Sequence, residues 1–497
     1  MHLSSLTILS LENCLKLESL PESIGGSENL RVVILSNCPK IETVPYIPGS
    51  VEELYLDRTA IEELLPLVHL STLLKLSLKN CLRLKSLPES IGKFKSLQCL
   101  YLSGCSKIDR LPDGLKNLKA VEEIEVEGIG ITDIPSLTLT CLNNLKKLSF
   151  LRCGHQKSPV SLLSQLPACH KLKHLNLEDC YIEVLPENLG ELHSLTFLYL
   201  GGNNFETLPE SIKELSKLYE LGLSDCRKLK SLPQLPDKSL RMEAKGCTSL
   251  ETVSGLPTQC LSMGTHNEEI SFINCFNLEL NLTDTLTNIE RNADLWFSSG
   301  GYSLPKASIC YPGSEIPDWF PFTSQTGYIE LPTDWLNDDL ICFAFCAVAS
   351  FRDYEEAEAL QVRCFLVVNE EIVSASCLFN EEGHEVIESE EAIESGDHLF
   401  LGYDYEIMAL ELLTASLDSK GYMEFFVEHG SNNCRKKSEV KNCGVRLLYA
   451  KDKTATTVER DLRFPNVINA CLSSLYMGSK ILAHHQHRKR RDWPDPE

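Results

Sequence analysis

Cysteine is abundant enough in this sequence to suggest chemistry of its own. The chain of 497 residues has 21 cysteines, and Cys81 lies in the stretch LKNCLRLKSLPES, where a run of leucines pauses. Thiols in such numbers could form disulfides or ligate a metal. Zinc sites need paired ligands at spacings such as C-x2-C, and the cysteines of the leucine-rich stretches have no such pairs. This observation disfavours a zinc site. Whether disulfides form depends on the redox state of the cell compartment.

The beginning of the sequence predicts a reducing compartment. MHLSSLTILSLENC lacks the basic segment and unbroken apolar run of a secretory signal. The longest apolar run, LICFAFCAVASF at residues 340–351, is shorter than the roughly 20 residues that span a bilayer. We therefore expect a cytoplasmic location, with a nuclear location as the alternative, and no membrane span. Disulfides do not persist in such compartments.

An internal repeat explains the spacing of the cysteines. The frame LxxLxLxxN/C recurs at intervals of 21 to 27 residues, which is the signature of leucine-rich repeats. Each LxLxx segment predicts a short strand with inward leucines, which one repeat cannot bury without its neighbours. We predict an α/β leucine-rich-repeat solenoid of about eleven repeats over residues 1–258, with a parallel concave sheet. The repeats begin at Leu6, Leu30, Val51, Leu73, Leu97, Val121, Leu145, Leu172, Leu195 and Leu218, with a shortened copy near Leu240.

Eight of the cysteines occupy the ninth position of a repeat, a slot where the chain leaves the sheet and turns inward. Asn203, Thr59 and Ile129 take this slot in three other repeats. An asparagine there can hydrogen-bond the backbone of the turn, and cysteine is a small apolar residue with a weak S–H donor. Strands about 4.8 Å apart would allow disulfides between neighbouring slots, but the side chains would point the same way. A structural role is favoured for Cys14, Cys38, Cys81, Cys105, Cys153, Cys180, Cys226 and Cys247.

The outward strand positions line the sheet, which is the usual binding surface of a solenoid. The residue between the two strand leucines varies from repeat to repeat, and three of these residues are tyrosines. An irregular column with aromatic side chains fits the surface of a partner protein better than a catalytic centre. The aromatic residues that we predict to contact a partner are Tyr55, Tyr101, Phe197 and Tyr199.

Charge changes sign between two neighbouring repeats of the predicted sheet. Glu122 shares a column with Lys146, and Glu123 shares one with Lys147. Neutralisation across the strands is the favoured interpretation, and a polarised patch for a partner is the alternative. The charged residues that we add to the predicted contacts are Glu125, Lys147 and Arg152.

The repeat frame ends near Pro257, and short β-rich runs follow. Residues 259–300 are predicted to be a connector with a short helix around 283–297. Residues 301–450 contain about seven strand-like runs without intervening helices, which predicts an antiparallel β-sandwich of the jelly-roll or immunoglobulin-like type. The acidic stretch at 380–396 is expected to be a solvated insertion, and 451–497 a flexible tail.

The tail ends in a basic and histidine-rich segment. Residues 488–491 could act as a nuclear-import or anion-binding patch, although a disordered terminus is favoured. His484, His485 and His487 could hold a metal only adventitiously.

Composition and motifs exclude several classes of function. The net charge of −23 disfavours nucleic acid as a partner, because phosphate binding needs clustered Lys and Arg. The sequence contains no G-x-x-x-x-G-K-[ST], G-x-S-x-G or H-E-x-x-H motif. We therefore expect no nucleotide or other cofactor, no metal and no catalysis.

Two sets of motifs together resemble one family. Repeats of the form LxxLxLxxCxxLxxLPESIG are followed by SFINCFNLELN, ICYPGSEIPDWF, GYIELP, DHLFLGYD and VKNCGVRLLYA. Over residues 1–450 this order closely resembles the C-terminal half of plant intracellular immune receptors of the Toll/interleukin-1-receptor-type nucleotide-binding leucine-rich-repeat class. The second unit resembles their post-repeat domain (C-JID), a jelly-roll or immunoglobulin-like sandwich, and CYPGSEIPDWF at 310–320 is the most specific match.

The resemblance implies an effector-sensing and autoinhibitory module. In this family a pathogen effector protein is gripped by the concave face and the sandwich loops, and the receptor then assembles into an oligomer that signals the defence response. The family's NAD-cleaving and nucleotide-binding domains, with which such a module would interact, are not in this sequence. The sequence also begins inside a repeat without a polar cap, which suggests a fragment or a truncated gene product. A non-immune leucine-rich-repeat interaction scaffold is the alternative.

Overall fold

In the computed structural model, the leucine frame folds into short strands that recur once in each repeat. The chain divides into two compact units, Met1–Leu256 and Pro257–Glu497. The structure describes residues 5–64, 69–131, 138–153, 160–236, 240–254, 268–280, 306–336, 340–351, 360–380, 396–404, 420–429 and 440–449.

Eleven strands in the described part of the first unit form one parallel sheet, each paired with the next along the chain. We call the repeat around each of these strands a rung and number the rungs 1 to 11. The strands are β1 (Ile8–Ser10), β2 (Val32–Ile34), β3 (Glu53–Tyr55), β4 (Lys75–Ser77), β5 (Cys99–Tyr101), β6 (Glu123–Glu125), β7 (Lys147–Ser149), β8 (His174–Asn176), β9 (Phe197–Tyr199), β10 (Glu220–Gly222) and β12 (Arg241–Glu243). A separate parallel pair consists of β11 (Ser231–Leu232) and β13 (Thr252–Val253).

The strands pair in register, which stacks the leucines in one column. Leu54 lies opposite Leu76, which lies opposite Leu100, and all three are fully buried. Because side chains alternate along a strand, the residues on either side of each leucine point to the other face of the sheet. The predicted leucine-rich-repeat fold is confirmed, and its sheet has one apolar and one polar face.

The return side of the rungs is formed mainly by single turns of 3-10 helix. Proline precedes most of these turns with an extended backbone, as Pro88 does at ψ 150°, and an apolar residue such as Ile91 fills the interior. The 3-10 turns are Glu22–Gly26, Glu89–Lys93, Asp113–Asn117, Leu139–Cys141, Leu166–Ala168, Glu187–Glu191 and Glu210–Glu214, and one short α-helix, α1, spans Val160–Gln165.

In most rungs the ninth-position side chain bonds the rung before it, whereas Thr59 bonds the Leu56 carbonyl of its own rung. The thiols of Cys81 and Cys105 donate hydrogen bonds to the carbonyls of Leu56 and Leu78, which end the strands of the preceding rungs, at 3.1 and 3.0 Å. The slot therefore bonds the backbone of the turn, as predicted. Equivalent bonds run from Cys38 to Leu11, from Cys153 to Val126, from Cys180 to Phe150, from Cys226 to Leu200 and from Cys247 to Leu223.

Asn203 makes more bonds in this slot than any thiol can. Its Nδ2 donates to the Leu177 carbonyl at 2.8 Å and to the Leu200 carbonyl at 2.7 Å. Its Oδ1 accepts from the backbone N–H groups of Cys180 and Ile182, at 3.2 and 2.9 Å. This one buried amide therefore satisfies backbone groups of two rungs.

The residue before each slot has a left-handed backbone, which turns the chain inward. Asparagine, aspartate or glycine holds most of these positions, because they adopt positive φ at the least steric cost. Arg58 and Arg152 are exceptions, at φ 54° and 56°. The full set is Asn13, Asn37, Arg58, Asn80, Gly104, Gly128, Arg152, Asp179, Gly202, Asp225 and Gly246.

The second unit contains two packed sheets. Its strands are β14 (Glu268–Ser271), β15 (Lys306–Pro312), β16 (Phe322–Ser324), β17 (Tyr328–Glu330), β18 (Leu340–Phe351), β19 (Leu360–Val368), β20 (Glu371–Asn380), β21 (Gly396–Asp404), β22 (Gly421–His429) and β23 (Val440–Tyr449). One sheet has the order β14-β15-β21-β18-β23-β16, and the other has the order β17-β22-β19-β20. Phe343 and Phe345 of the first sheet share a buried core with Leu366 and Met423 of the second, which is the predicted sandwich.

Both faces of β18 are buried. One face belongs to the core between the sheets, and Cys342, Ala344 and Cys346 on the other face pack beneath Phe320, with Trp319 beside it. The rings of Trp319 and Phe320 stack at 4.1 Å between centroids. The CYPGSEIPDWF segment therefore serves as an apolar cover on the outer side of this sheet.

Three strands were not expected from the sequence. β16 is only three residues long, β14 lies inside the segment predicted as a connector, and β20 follows β19 through a two-residue turn. Asn369 and Glu370 form this turn with φ 50° and 71°. β14 pairs in parallel with β15, whereas the other sandwich pairings are antiparallel, and Asn274 and Cys275 after it reproduce the repeat's turn.

Several predicted segments lie outside the described residues. They are the helix around 283–297, all but the first and last residues of the acidic insertion at 380–396, and the tail at 451–497 with its basic and histidine residues.

Asn203→Ala should destabilise the repeat unit by about 1–3 kcal/mol, because it leaves buried backbone groups without partners. The matched control is Asn204→Ala, since only the backbone of Asn204 makes a described hydrogen bond. Urea unfolding followed by circular dichroism measures both. Equal midpoints for the two variants would contradict the role given to the slot.

The buried slot thiols of Cys153, Cys180 and Cys226 should also resist alkylation in the folded chain. Burial raises the pKa of Cys153, Cys180 and Cys226 to about 12, which lowers the thiolate fraction at pH 8 by about a thousandfold relative to an ordinary thiol. We expect iodoacetamide to label the half-buried Cys141 in the folded chain, and Cys180 and Cys226 only after denaturation. Peptide mapping by mass spectrometry gives the order, and early labelling of Cys226 would show that the rungs open readily.

Candidate functional site: the polar face of the repeat sheet

The polar face of the sheet carries two groups of side chains in contact. The first group spans rungs 3 to 7, and we call it the polar network. The second spans rungs 8 to 10, and we call it the aromatic cluster. Most members of both groups project from outward positions of strands whose register is fixed by buried leucines. The face is therefore arranged by the fold.

Lys75 holds the first part of the polar network together. Its Nζ lies 5.2 Å from the centroid of the Tyr55 ring and 5.1 Å from that of Tyr101, on the two neighbouring strands. The Tyr101 ring also receives Lys79 Nζ at 4.7 Å. Cation–π contacts of this kind stabilise by about 0.5–1 kcal/mol each at exposed sites. The tyrosines thus have defined positions before any partner arrives.

The hydroxyls of Tyr55 and Tyr101 each donate to a carboxylate. Tyr55 donates to Glu53 at 2.7 Å, and Tyr101 donates to Glu123 at 2.7 Å. Burial is the first cause, and the neighbouring carboxylate the second, of raised pKa values for both phenols. Both hydroxyls are therefore protonated donors at neutral pH.

Glu125 is the buried centre of the polar network. Its carboxylate accepts from Lys79 Nζ and Lys147 Nζ, at 2.7 Å each, and its side chain is 9% exposed. Burial alone would raise the pKa of Glu125, but the bonds from Lys147 and Lys79 outweigh burial and hold it below its usual range. One carboxylate thus connects rungs 4, 6 and 7.

The predicted neutralisation across the strands is correct for one pair and incomplete for the other. Lys146 bonds Glu122 at 2.6 Å, as predicted. Lys147 lies opposite Glu123 in the register, but its ammonium bonds Glu125 instead. Glu123 accepts the Tyr101 hydroxyl.

The aromatic cluster is built around His174. Its ring lies 5.7 Å from Phe197 and 5.4 Å from Tyr199, and Phe197 meets Tyr219 edge-on at 6.1 Å. Tyr199 donates to Glu220 at 2.9 Å. These rings form the largest group of touching aromatic residues on the described sheet face.

Glycine on the next rung makes room for the Tyr199 ring. A Cβ on Gly222 would lie 2.8 Å from Tyr199 Cδ1, which is closer than side-chain atoms normally approach. The small residue of rung 10 therefore lets the ring lie across the sheet toward Glu220.

The structure places the seven predicted contact residues as follows. Tyr55, Tyr101, Glu125 and Lys147 belong to the polar network, and Phe197 and Tyr199 belong to the aromatic cluster. Arg152 joins neither group, because it occupies the turn of its rung and pairs with Asp179 at 3.5 Å.

Sequence reasoning missed two residues of the face, His174 and Tyr219, and it did not count the outward-facing Lys75 and Lys79 among the predicted contacts. Lys75 and Lys79 lie in outward columns, and their contacts follow from the register. His174 and Tyr219 could have been found by aligning the two positions that precede the first strand leucine of each repeat. In rungs 8 to 10, aromatic side chains at these two positions are neighbours on the sheet. In the described part of the chain, no three His, Cys, Asp or Glu side chains are arranged to hold a metal ion.

His174 should make stability depend on pH. Burial, and then the charge of Lys147, lowers the pKa of His174 to about 4, whereas an unfolded histidine titrates near its ordinary value of about 6.5. The unfolded chain therefore binds the proton first, and the free energy of unfolding falls as pH drops from about 6.5 to 4, by up to about 3 kcal/mol.

Comparing variants isolates this contribution. His174→Gln should show a smaller loss of stability between pH 7 and 4.5 than the parent chain, while His193→Gln, at an exposed position, should follow the parent. Urea midpoints across this pH range measure the effect. Parallel pH profiles for all three chains would argue against a buried neutral imidazole.

Two family models match the chain. The model described as "C-JID domain" matches residues 311–454, and the model described as "Leucine Rich Repeat" matches residues 96–118, 171–192 and 194–215. These matches coincide with the sandwich and with part of the repeat sheet.

Similar proteins come from Arabidopsis thaliana. "Disease resistance-like protein DSC1" is 32% identical over 94% of this chain and 42% of its own length. "Disease resistance protein RPP2B" is 33% identical over 90% of this chain and 39% of its own length. The chain thus spans less than half the length of these relatives. A solved plant peptide hormone receptor, RGFR1 in complex with RGF2, is 21% identical over 58% of this chain and 50% of that one, at a TM-score of 0.41.

A search of the described residues for helices of membrane-spanning length and hydropathy finds none. The matches to relatives cover both units of the structure, the repeats and the sandwich alike. Over most of its length, this chain is homologous to the leucine-rich-repeat and C-JID region of plant TIR-NBS-LRR disease resistance proteins.

Proposed function

We propose that this chain is the effector-sensing module of an intracellular plant immune receptor and that it binds a pathogen protein through the polar face of its repeat sheet. The observation that carries the proposal is the aromatic cluster of His174, Phe197 and Tyr199, which is half-buried, in contact and open on one side. Homology to disease resistance proteins supplies the biological setting.

The physical chemistry of the face suits protein recognition. Tyrosine and phenylalanine offer large contact areas and lose little side-chain entropy on binding, and such residues carry much of the energy of known interfaces. Here Lys75 and Glu220 fix the rings of Tyr55, Tyr101 and Tyr199 in advance. A face that is already ordered binds without a further ordering cost.

The wider roles of the module rest on the relatives. We propose that loops of the sandwich add to the grip on the effector and that the module restrains its receptor until it binds. Its partners would then include the receptor's own TIR and nucleotide-binding domains and the receptor oligomer, in the cytoplasm or the nucleus. The module would have no catalysis of its own, and binding would lead to defence signalling in the full receptor.

A non-immune interaction scaffold is the second candidate. It uses the same face, since irregular aromatic columns suit any protein partner. The two functions differ in partner, so co-purification from infected and uninfected plant tissue separates them. A partner that is recovered only from infected tissue supports the sensor.

Replacing the aromatic cluster should abolish partner binding without unfolding the chain. Phe197→Ala and Tyr199→Ala are each expected to weaken binding of the co-purified effector by about 10- to 100-fold, which is typical of central aromatic contacts. The control is Tyr181→Ala, because Tyr181 is 43% exposed but lies after the slot and outside the sheet. Titration calorimetry and circular dichroism measure affinity and folding. Unchanged affinity in both face variants would refute binding through this face.

A further inference from the structure

We call the contact between two neighbouring rungs a joint. The joint between rungs 5 and 6 lacks a side-chain hydrogen bond that most other joints have. Ile129 occupies the ninth-position slot of rung 6, and its side chain has no group that could donate to the carbonyl of Leu102. At the corresponding joints, thiols or the Asn203 amide make this bond. The interior ladder of slot bonds is therefore interrupted here.

Packing at the turns points to the same joint. A Cβ placed on Gly104, in the turn of rung 5, would collide with Asn80 of the rung before it. A Cβ placed on Gly128, in the turn of rung 6, would have no heavy atom within 4 Å. The turn of rung 6 thus has open space where the turn of rung 5 has a close neighbour.

On the opposite face, Glu125 bridges this joint. Lys79 belongs to rung 4, Glu125 to rung 6 and Lys147 to rung 7, and both lysines bond the same carboxylate at 2.7 Å. The Lys79 contact passes over rung 5 altogether. Because the Glu125 side chain is only 9% exposed, water competes for it less than for a surface carboxylate.

We propose that the joint between rungs 5 and 6 is a bending point of the repeat unit and that Glu125 is the positioning residue that keeps it closed. By holding Lys79 across the joint, while Lys147 of rung 7 bonds the same carboxylate, Glu125 replaces on the outer face the bond that Ile129 cannot make inside. The backbone bonds that cross the joint, such as Leu102 N–H to Glu125 O at 2.8 Å and Gly104 N–H to Glu127 O at 2.6 Å, depend on this closure.

Bending here would change the separation between Tyr101 and Tyr199, which lie on opposite sides of the joint. The affinity of a partner that contacts both tyrosines would therefore depend on whether the joint is closed or bent. This consequence rests on the proposed function, whereas the bending point itself needs no partner.

Hydrogen exchange with mass spectrometry on the full chain tests the proposal. In Glu125→Gln, amides of Leu102 and Gly104 should exchange about fivefold faster, and those of rungs 9 and 10 should keep the parent rates. The control is Glu122→Gln, on the same rung as Glu125. This change removes the more exposed ion pair of Glu122 with Lys146 and should leave the joint unchanged.

Restoring the interior bond should rescue the joint. Ile129→Cys introduces the residue that fills this slot in eight other rungs, and Glu125→Gln/Ile129→Cys should bring the exchange of Leu102 and Gly104 back to within about twofold of the parent. Ile129→Cys alone should slow their exchange below the parent rate, and this single variant decides the matter if the double variant does not fold.

Two outcomes would overturn the proposal. Faster exchange spread evenly over all rungs in Glu125→Gln would mean a general loss of stability, and unchanged exchange at the joint would mean that the carboxylate does not hold it. Neither result bears on the partner-binding experiment, because no partner is present.

Discussion

The hydrogen bond from the ninth-position side chain to a carbonyl of the preceding rung couples the interior of the repeat unit to the polar face of its sheet. It acts where the chain leaves the sheet, and it holds most rungs at a fixed offset from the preceding one. A buried thiol such as Cys105 can make this bond at 3.0 Å and has almost no other polar group that needs a hydrogen-bond partner. An asparagine has three further hydrogen-bonding groups, and Asn203 is accommodated because Cys180 and Ile182 supply N–H donors to its oxygen.

A fixed interior lets side chains on the outer face reach across rungs to defined partners. Lys75 lies between the rings of Tyr55 and Tyr101 only because the strands that carry them keep register. The same register sets Tyr199 beside Gly222, where a larger residue would displace the ring. Under the proposed function, recognition and folding use different residues of the same short strands, so changes at outward positions would alter the partner while the leucine column keeps the fold.

The architecture could be predicted from the sequence because two simple periods set it. Alternation within LxLxx fixes which face each residue joins, and the repeat interval fixes the number of rungs. The contacts of the face could be predicted only in part. The column that Glu123 and Lys147 share is visible in the sequence, but the structure pairs Lys147 with Glu125 and Tyr101 with Glu123. The shared column alone therefore does not determine which of several carboxylates a long side chain bonds.

The missed strands have equally specific causes. β20 follows a turn in which Asn369 and Glu370 both have positive φ. Glutamate is not a typical residue of such a turn, so the sequence does not predict it. β14 carries the repeat's turn at Asn274, but it follows the last recognised slot, Cys247, by a longer interval than the other repeats allow. Local sequence rules fail at both places because pairing with neighbouring strands overrides them.

The segment that most strongly marks the second unit, CYPGSEIPDWF, owes its distinctive sequence to packing. Trp319 and Phe320 stack on each other and cover a strand that is already buried on its other side, and Arg446 donates to the Trp319 carbonyl at 2.8 Å. A residue under that constraint cannot vary with the partner. Under the proposed function, variation in binding would come from positions that the fold leaves free, and on the repeat sheet these are the outward columns that carry Phe197 and Tyr199. The most recognisable residues of this chain therefore identify its architecture, while its least regular column is the better place to look for specificity.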